Sequence, residues 1–153
     1  MSSLELKIPP PLVALALALL MWITASLTQP FEVPFSFRLG AALVLVIVGQ
    51  SISISAMTAF RRAKTTVNPI KASAASSLVS SGVYRFTRNP MYLGLLLTLL
   101  AWAVFLSNPV ALLFVPLFVL YMNRFQIGPE ERVLSSLFGA EYAAYTKKVR
   151  RWL

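Results

Sequence analysis

MYLGLLLTLLAWAVFLSNPVALLFVPLFVLYMNRF, residues 91 to 125, decides the architecture. Two apolar runs, Met91 to Leu106 and Pro109 to Phe125, are parted by Ser107 and Asn108, which predicts a tight helical hairpin. At about 1.5 Å per residue the first of them spans roughly 24 Å. That is a little less than the roughly 30 Å hydrocarbon core of a bilayer. The hairpin therefore either sits partly sunk from one face or recruits flanking residues.

Working outward, Leu39 to Phe60 is a second long apolar run, interrupted by Gln50, Ser51, Ser53 and Ser55. Polar groups at membrane depth turn to other helices or to a cavity, because lipid offers them no hydrogen bond. Packing against a neighbouring helix is the expected use. Pro11 to Leu27 is a further run, read as a membrane helix. A signal peptide is disfavoured because Glu5 and Lys7 cancel before it and Thr28-Gln29-Pro30-Phe31 follows it. The expectation is an all-α membrane protein with about four spans, 11–27, 39–60, 91–106 and 109–125, in a single domain.

Composition supports this. Of 153 residues, 58% are hydrophobic and 12% charged, against roughly 25% charged in a soluble domain. Cysteine and histidine are absent, which excludes disulfides and removes the commonest general base and metal ligand. No metal site is expected. The acids are Glu5, Glu32, Glu130, Glu131 and Glu141. The net charge of +9 reads as positive-inside bias and attraction to anionic headgroups rather than as nucleic-acid binding. The 61–89 loop and the C-terminal tail carry the Lys and Arg, so they and both termini are expected in the cytoplasm.

That loop holds Arg61, Arg62, Lys64, Lys71, Arg85 and Arg88, with a low-complexity stretch at 72–77. After Gly128-Pro129 the pattern becomes amphipathic over 130–138. Gly139 suits a C′ position, and a short helix over about 141–149 precedes Arg150-Arg151-Trp152-Leu153, an interfacial anchor.

Several residues admit both a chemical and a plain reading. Asn89-Pro90 is an N-cap followed by a first-turn proline, and the exposed helix start also suits a carboxylate ligand. Glu130-Glu131 compensates a helix dipole or receives a cationic ligand. Arg85, Arg88 and Arg124 snorkel to headgroups or grip an anion. Tyr92, Tyr142 and Tyr145 form an interfacial belt or stack on an adenine.

The run Gly82-Val83-Tyr84-Arg85-Phe86-Thr87-Arg88-Asn89-Pro90-Met91-Tyr92-Leu93-Gly94 resembles a motif of the isoprenylcysteine carboxyl and phospholipid methyltransferase families. There the core reads Arg-His-Pro-x-Tyr-x-Gly. Glu130-Glu131-Arg132-Val133-Leu134, then Phe138-Gly139-Ala140-Glu141-Tyr142-Ala143-Ala144-Tyr145, resembles the second block. The resemblance implies an S-adenosylmethionine pocket at the cytosolic membrane face, built from about residues 82–153. Arg88, Asn89, Pro90, Tyr92 and Gly94 would line one side, and Glu130, Glu131, Tyr142 and Tyr145 the other. Arg85, Arg124 and Glu131 are the candidates for the catalytic part. Asn89 stands where the family often has His; it can donate a hydrogen bond but cannot ionise. The implied reaction is in-line methyl transfer to a lipophilic acceptor from the bilayer, with S-adenosylhomocysteine as product. A carboxylate acceptor needs no base, which favours carboxyl over amine methylation in a chain without histidine. Phospholipid N-methylation and a non-catalytic membrane scaffold are the rival readings.

Overall fold

A computed structural model describes residues 5–63 and 77–153. The 72–76 part of the low-complexity stretch, Lys64 and Lys71 lie outside the described residues. The elements are α1 (Pro10–Leu27), α2 (Phe35–Arg62), a 3-10 turn (Gly82–Arg85), α3 (Pro90–Leu106), α4 (Pro109–Leu112), α5 (Phe114–Met122), a π turn (Asn123–Ile127) and α6 (Gly128–Lys148). Among the described residues there is no strand.

Prolines set most of the starts. Pro10, Pro90 and Pro109 stand in the first turns of α1, α3 and α4, where a missing N–H costs nothing. α2 follows Pro34 and is longer at both ends than its apolar stretch, closing on Arg61 and Arg62, which suit the negative end of the helix. Three helical stretches are long and apolar enough to cross a membrane, Pro10–Leu27, Phe35–Arg62 and the apolar part of Pro109–Lys148, with Pro90–Leu106 a shorter apolar helix. The protein is an integral membrane protein. α1 and α2 turn Leu12, Leu15, Leu19, Leu43, Val44 and Ile47 outward, as lipid-facing helices do.

α3 is the centre of the bundle. On α2, Gly49 lets the two backbones meet: a Cβ added there would stand 2.9 Å from the Gly94 carbonyl oxygen. A Cβ on Gly94 would lie 1.9 Å from Ser53 Oγ. Small residues at such a crossing are how membrane helices gain close contact. Beside it Gln50 Nε2 donates to Thr98 Oγ1 at 3.0 Å, the helix-packing role expected for that polar position. Trp102 Nε1 donates to the Ala18 carbonyl at 3.0 Å and ties α1 to α3. Met21, Phe118, Met122 and Ile127 are fully buried in the core between these helices.

The hairpin turns at Ser107, whose φ of 51° is left-handed. Asn108 then caps α4, its Oδ1 accepting from Val110 N at 2.9 Å and Ala111 N at 3.2 Å. Its Nδ2 reaches Thr28 Oγ1 at 2.8 Å. The fourth run is not one regular helix. It breaks at Leu113, between α4 and α5, because Pro116 cannot donate to the Leu112 carbonyl and its ring crowds it. The same effect recurs at Pro129, whose missing N–H leaves the Phe125 carbonyl free to accept from Leu6 N at 3.0 Å. The chain widens there into the π turn and enters α6 without a break. α6 bends at Gly139 (φ 44°, ψ −116°), so the amphipathic piece and the final short helix are separate, as the glycine predicted.

Candidate active site

The site forms where the start of α3, the start of α6 and the C-terminal tail converge. The tail is extended from Val149 onward and runs beside residues 87–89. Arg88 N donates to the Arg150 carbonyl at 3.0 Å. The Arg151 carbonyl accepts from Thr87 Oγ1 at 3.3 Å and from Asn89 Nδ2 at 2.9 Å. Asn89 is the N-cap of α3 as expected, but its side chain makes no capping bond; it is turned to the tail, with Nδ2 donating to Arg151. Asn108 does both, its Nδ2 donating to Thr28 while its Oδ1 caps α4.

Glu131 lies in the middle of the cluster. Arg88 Nη2 stands 3.2 Å from its Oε1. Arg151 grips it with two bonds, Nε to Oε1 at 3.1 Å and Nη2 to Oε2 at 2.5 Å. These hydrogen bonds hold the Arg151 guanidinium proton more tightly than usual. Arg151 Nη1 and Trp152 Nε1 both donate to Asn123 Oδ1, at 3.5 and 3.0 Å, so the π turn is tied to the tail. Arg88 also donates from Nη1 to the Tyr142 hydroxyl at 3.5 Å, and its Nε is buried with no acceptor.

Glu130 has a different environment. The Tyr92 hydroxyl donates to its Oε1. Among the described residues no Arg or Lys pairs with it. Burial pushes its carboxyl up to about 7; the neighbouring Glu131 adds to this and the Tyr92 hydrogen bond opposes it. Adjacent carboxylates are thus placed oppositely: Glu131 is saturated by cations, and Glu130 is dry and lacks one among the described residues.

The tyrosines complete the wall. Tyr145 OH donates to the Tyr84 carbonyl at 2.7 Å, and burial pushes the Tyr145 phenol up to about 12. Tyr142 is raised for the same reason. Their rings share a face, 6.3 Å apart. Tyr84 is buried in the loop and meets Phe60 edge-on at 5.4 Å.

Of the residues expected from sequence, Arg88, Asn89, Tyr92, Glu130, Glu131, Tyr142 and Tyr145 come together, with Pro90 buried at the helix start. Three do not join them. Gly94 serves the crossing with α2. Arg85 is exposed. Arg124 pairs with Glu5 at 3.0 Å, while Arg132 takes the other Glu5 oxygen at 2.6 Å. Sequence reasoning missed Arg151, Asn123, Thr87 and Glu5. Arg151 was visible only as part of a basic tail, and the rest carried no signal beyond residue type.

The sequence profile of the phospholipid methyltransferase family matches residues 37–141. The chain belongs to this family. The match begins in α2, takes in the first motif block and ends at Glu141, short of Tyr142 and the tail. A probable protein-S-isoprenylcysteine O-methyltransferase of Oryza sativa is 34% identical over 92% of this chain and 73% of its own length. Protein-S-isoprenylcysteine O-methyltransferase A of Arabidopsis thaliana is 30% identical over 89% and 69%. An uncharacterized protein of Haemophilus influenzae is 57% identical over 41% of this chain and all of its own. No solved structure matches. Family membership makes the protein a membrane methyltransferase, and such an enzyme needs a methyl donor.

Proposed function

We propose that the protein uses S-adenosylmethionine to methylate the carboxylate of an isoprenylcysteine-like group presented from the bilayer. The observation that carries this is the environment of Glu130. It is a buried carboxylate beside Tyr92 with no cation of the protein's own among the described residues. A ligand bearing a sulfonium and an ammonium supplies the missing charge. Glu131 is already neutralised by Arg88 and Arg151; it serves as the fixed anchor of the site and Glu130 as the cation receptor. The buried Arg88 Nε and the uncapped start of α3 suit the carboxylate end of the same molecule. Tyr142 and Tyr145 offer a face for its adenine. The residues present therefore fit the donor.

When bound, that donor supplies an electrophilic methyl group. The protein's own residues bind, orient and exclude water. Tyr92 holds Glu130 in place by its hydrogen bond, and the tail strapped over residues 87–89 covers the site. A carboxylate acceptor is already ionised and needs no base, so no protein group has to move a proton. The names of the plant relatives support this acceptor class. Positive-inside asymmetry supports a cytoplasmic site, with both termini on that side. The acceptor is a lipophilic partner; neither a metal nor nucleic acid has a role.

A second reading draws on the same residue. A carboxyl near 7 can also accept a proton from an amine, which phospholipid N-methylation would require. The test separates the two. Purified protein in mixed micelles is supplied with methyl-labelled S-adenosylmethionine and either N-acetyl-S-farnesylcysteine or phosphatidylethanolamine. Base-labile label in the farnesylcysteine product is expected. Base-stable label in the phospholipid instead would move the protein to N-methylation. No saturable heat with S-adenosylhomocysteine, in protein of full helix content, would sink both.

A further inference from the structure

A cleft of about 530 Å³ opens between α1 and α2, floored by α3. Ala14, Ala18, Leu43, Leu99, Trp102 and Phe105 are among its walls. It begins about one turn below Tyr92 and runs toward the far end of α3. A space so apolar offers water no partners, and at membrane depth it is filled by hydrocarbon.

At the far end stands Arg38. Its Nη1 donates to the Phe105 carbonyl at 3.2 Å. Its Cζ lies 5.8 Å from the Phe35 ring centroid, and its Nε is buried with no acceptor. Among the described residues no carboxylate pairs with it. α3 is 17 residues long, so this cation lies roughly 25 Å from the candidate active site, at the opposite membrane end. A cation at the edge of the hydrocarbon without a counter-charge stands at headgroup level, where an anionic lipid phosphate can pair with it. An apolar trough that ends at a lone guanidinium matches an acyl chain that ends at a phosphate. A neutral glycerolipid satisfies the trough and not the arginine; a soluble anion satisfies the arginine and not the trough.

From this geometry we infer that the cleft binds one anionic phospholipid from the leaflet opposite the candidate active site, with an acyl chain between α1 and α2 and the headgroup phosphate on Arg38. The lipid wedges apart two helices that both pack on α3. This site is separate from methyl transfer.

Native mass spectrometry of the detergent-purified full chain tests it, using phosphatidylglycerol, diacylglycerol with the same chains, and glycerol phosphate. The wild type is expected to keep one phosphatidylglycerol through detergent exchange and to bind neither of the other two. Arg38→Gln should bind it about ten-fold more weakly, the scale of one lost charge-assisted contact. Leu43→Trp, which fills the exposed wall of the cleft, should lose it while leaving Arg38 in place. Helix content and S-adenosylhomocysteine binding should be unchanged in both variants. Equal retention by Arg38→Gln, or equal retention of diacylglycerol, overturns the charge assignment. Competition by glycerol phosphate overturns the acyl-chain assignment. Displacement by S-farnesylcysteine would give the cleft to the methyl acceptor and overturn the proposal.

Discussion

Glu130 is the residue on which the site's chemistry can be measured without any substrate. Burial raises its carboxyl from the ordinary value to about 7. The folded state therefore holds this proton more tightly than the unfolded chain does. Its contribution to stability is complete below the ordinary carboxylate range, and is lost as pH rises through about 7. Ligand binding has the opposite sign, because a cation needs the ionised form. We predict that S-adenosylmethionine, whose sulfonium is a fixed cation, binds more tightly at about pH 8 than at about pH 6, by calorimetry, in step with this titration. Glu130→Gln should remove that pH dependence and weaken binding at least about ten-fold. It should also raise the thermal midpoint at about pH 8, by up to about 3 kcal/mol of stability, since the amide carries no buried charge. A variant that lost binding and stability together would mean that Glu130 serves structure. Arg151→Ala tests the neighbouring carboxylate. Arg151 is 37% exposed, so solvent screening limits the loss to about 1–2 kcal/mol. Arg151→Lys should not restore the lost stability in a thermal melt, because one ammonium cannot reproduce the two parallel bonds.

Two elements owe their form to a single small or cyclic residue. At the α2–α3 crossing, Gly94→Ala places a methyl 1.9 Å from Ser53 Oγ and 2.6 Å from the Gly49 carbonyl oxygen. The helices must part, at about 1–3 kcal/mol. Adding Ser53→Ala should recover only part of that, because the backbone oxygen stays; unfolding in detergent for the two variants measures the difference. At the π turn, Pro129→Ala restores an N–H that competes with Leu6 for the Phe125 carbonyl. The turn should tighten toward α-helix and shift the Glu130–Glu131 pair. The expected result is weaker S-adenosylhomocysteine binding with helix content unchanged by circular dichroism. Helix positions were legible because apolar runs and prolines act locally. The break at Leu113 and the widening at Asn123 were not, although Pro116 and Pro129 were in view. Whether a proline breaks, kinks or widens a membrane helix depends on which neighbour takes the freed carbonyl. Asn-Pro at residues 89 and 90 is locally the same signal as Asn-Pro at 108 and 109, and both start a helix; that only Asn108 makes the side-chain cap was not legible, because the tail that takes the Asn89 amide is remote in sequence.

At the scale of the molecule, hydropathy carried the helical membrane architecture without reference to any relative. The motif blocks brought seven of the expected side chains to one place. What escaped reading is the long-range wiring, in which residues with no local pattern meet. Glu5 is the clearest case. Its side chain is 4% exposed and bridges Arg124 and Arg132. Glu5→Gln should cost about 1–3 kcal/mol and open the N-terminal segment to limited proteolysis before the bundle unfolds.

That wiring also has an order in time. Glu5 is made before its partners, which stand 119 and 127 residues later, and the Arg151 that clasps Glu131 comes later still. The four apolar helices can enter the bilayer one after another as they are made. The ends cannot be fastened until synthesis has passed the tail. A nascent chain halted inside the last hairpin would be unlatched, because Arg132 and Arg151, the partners of Glu5 and Glu131, are not yet made.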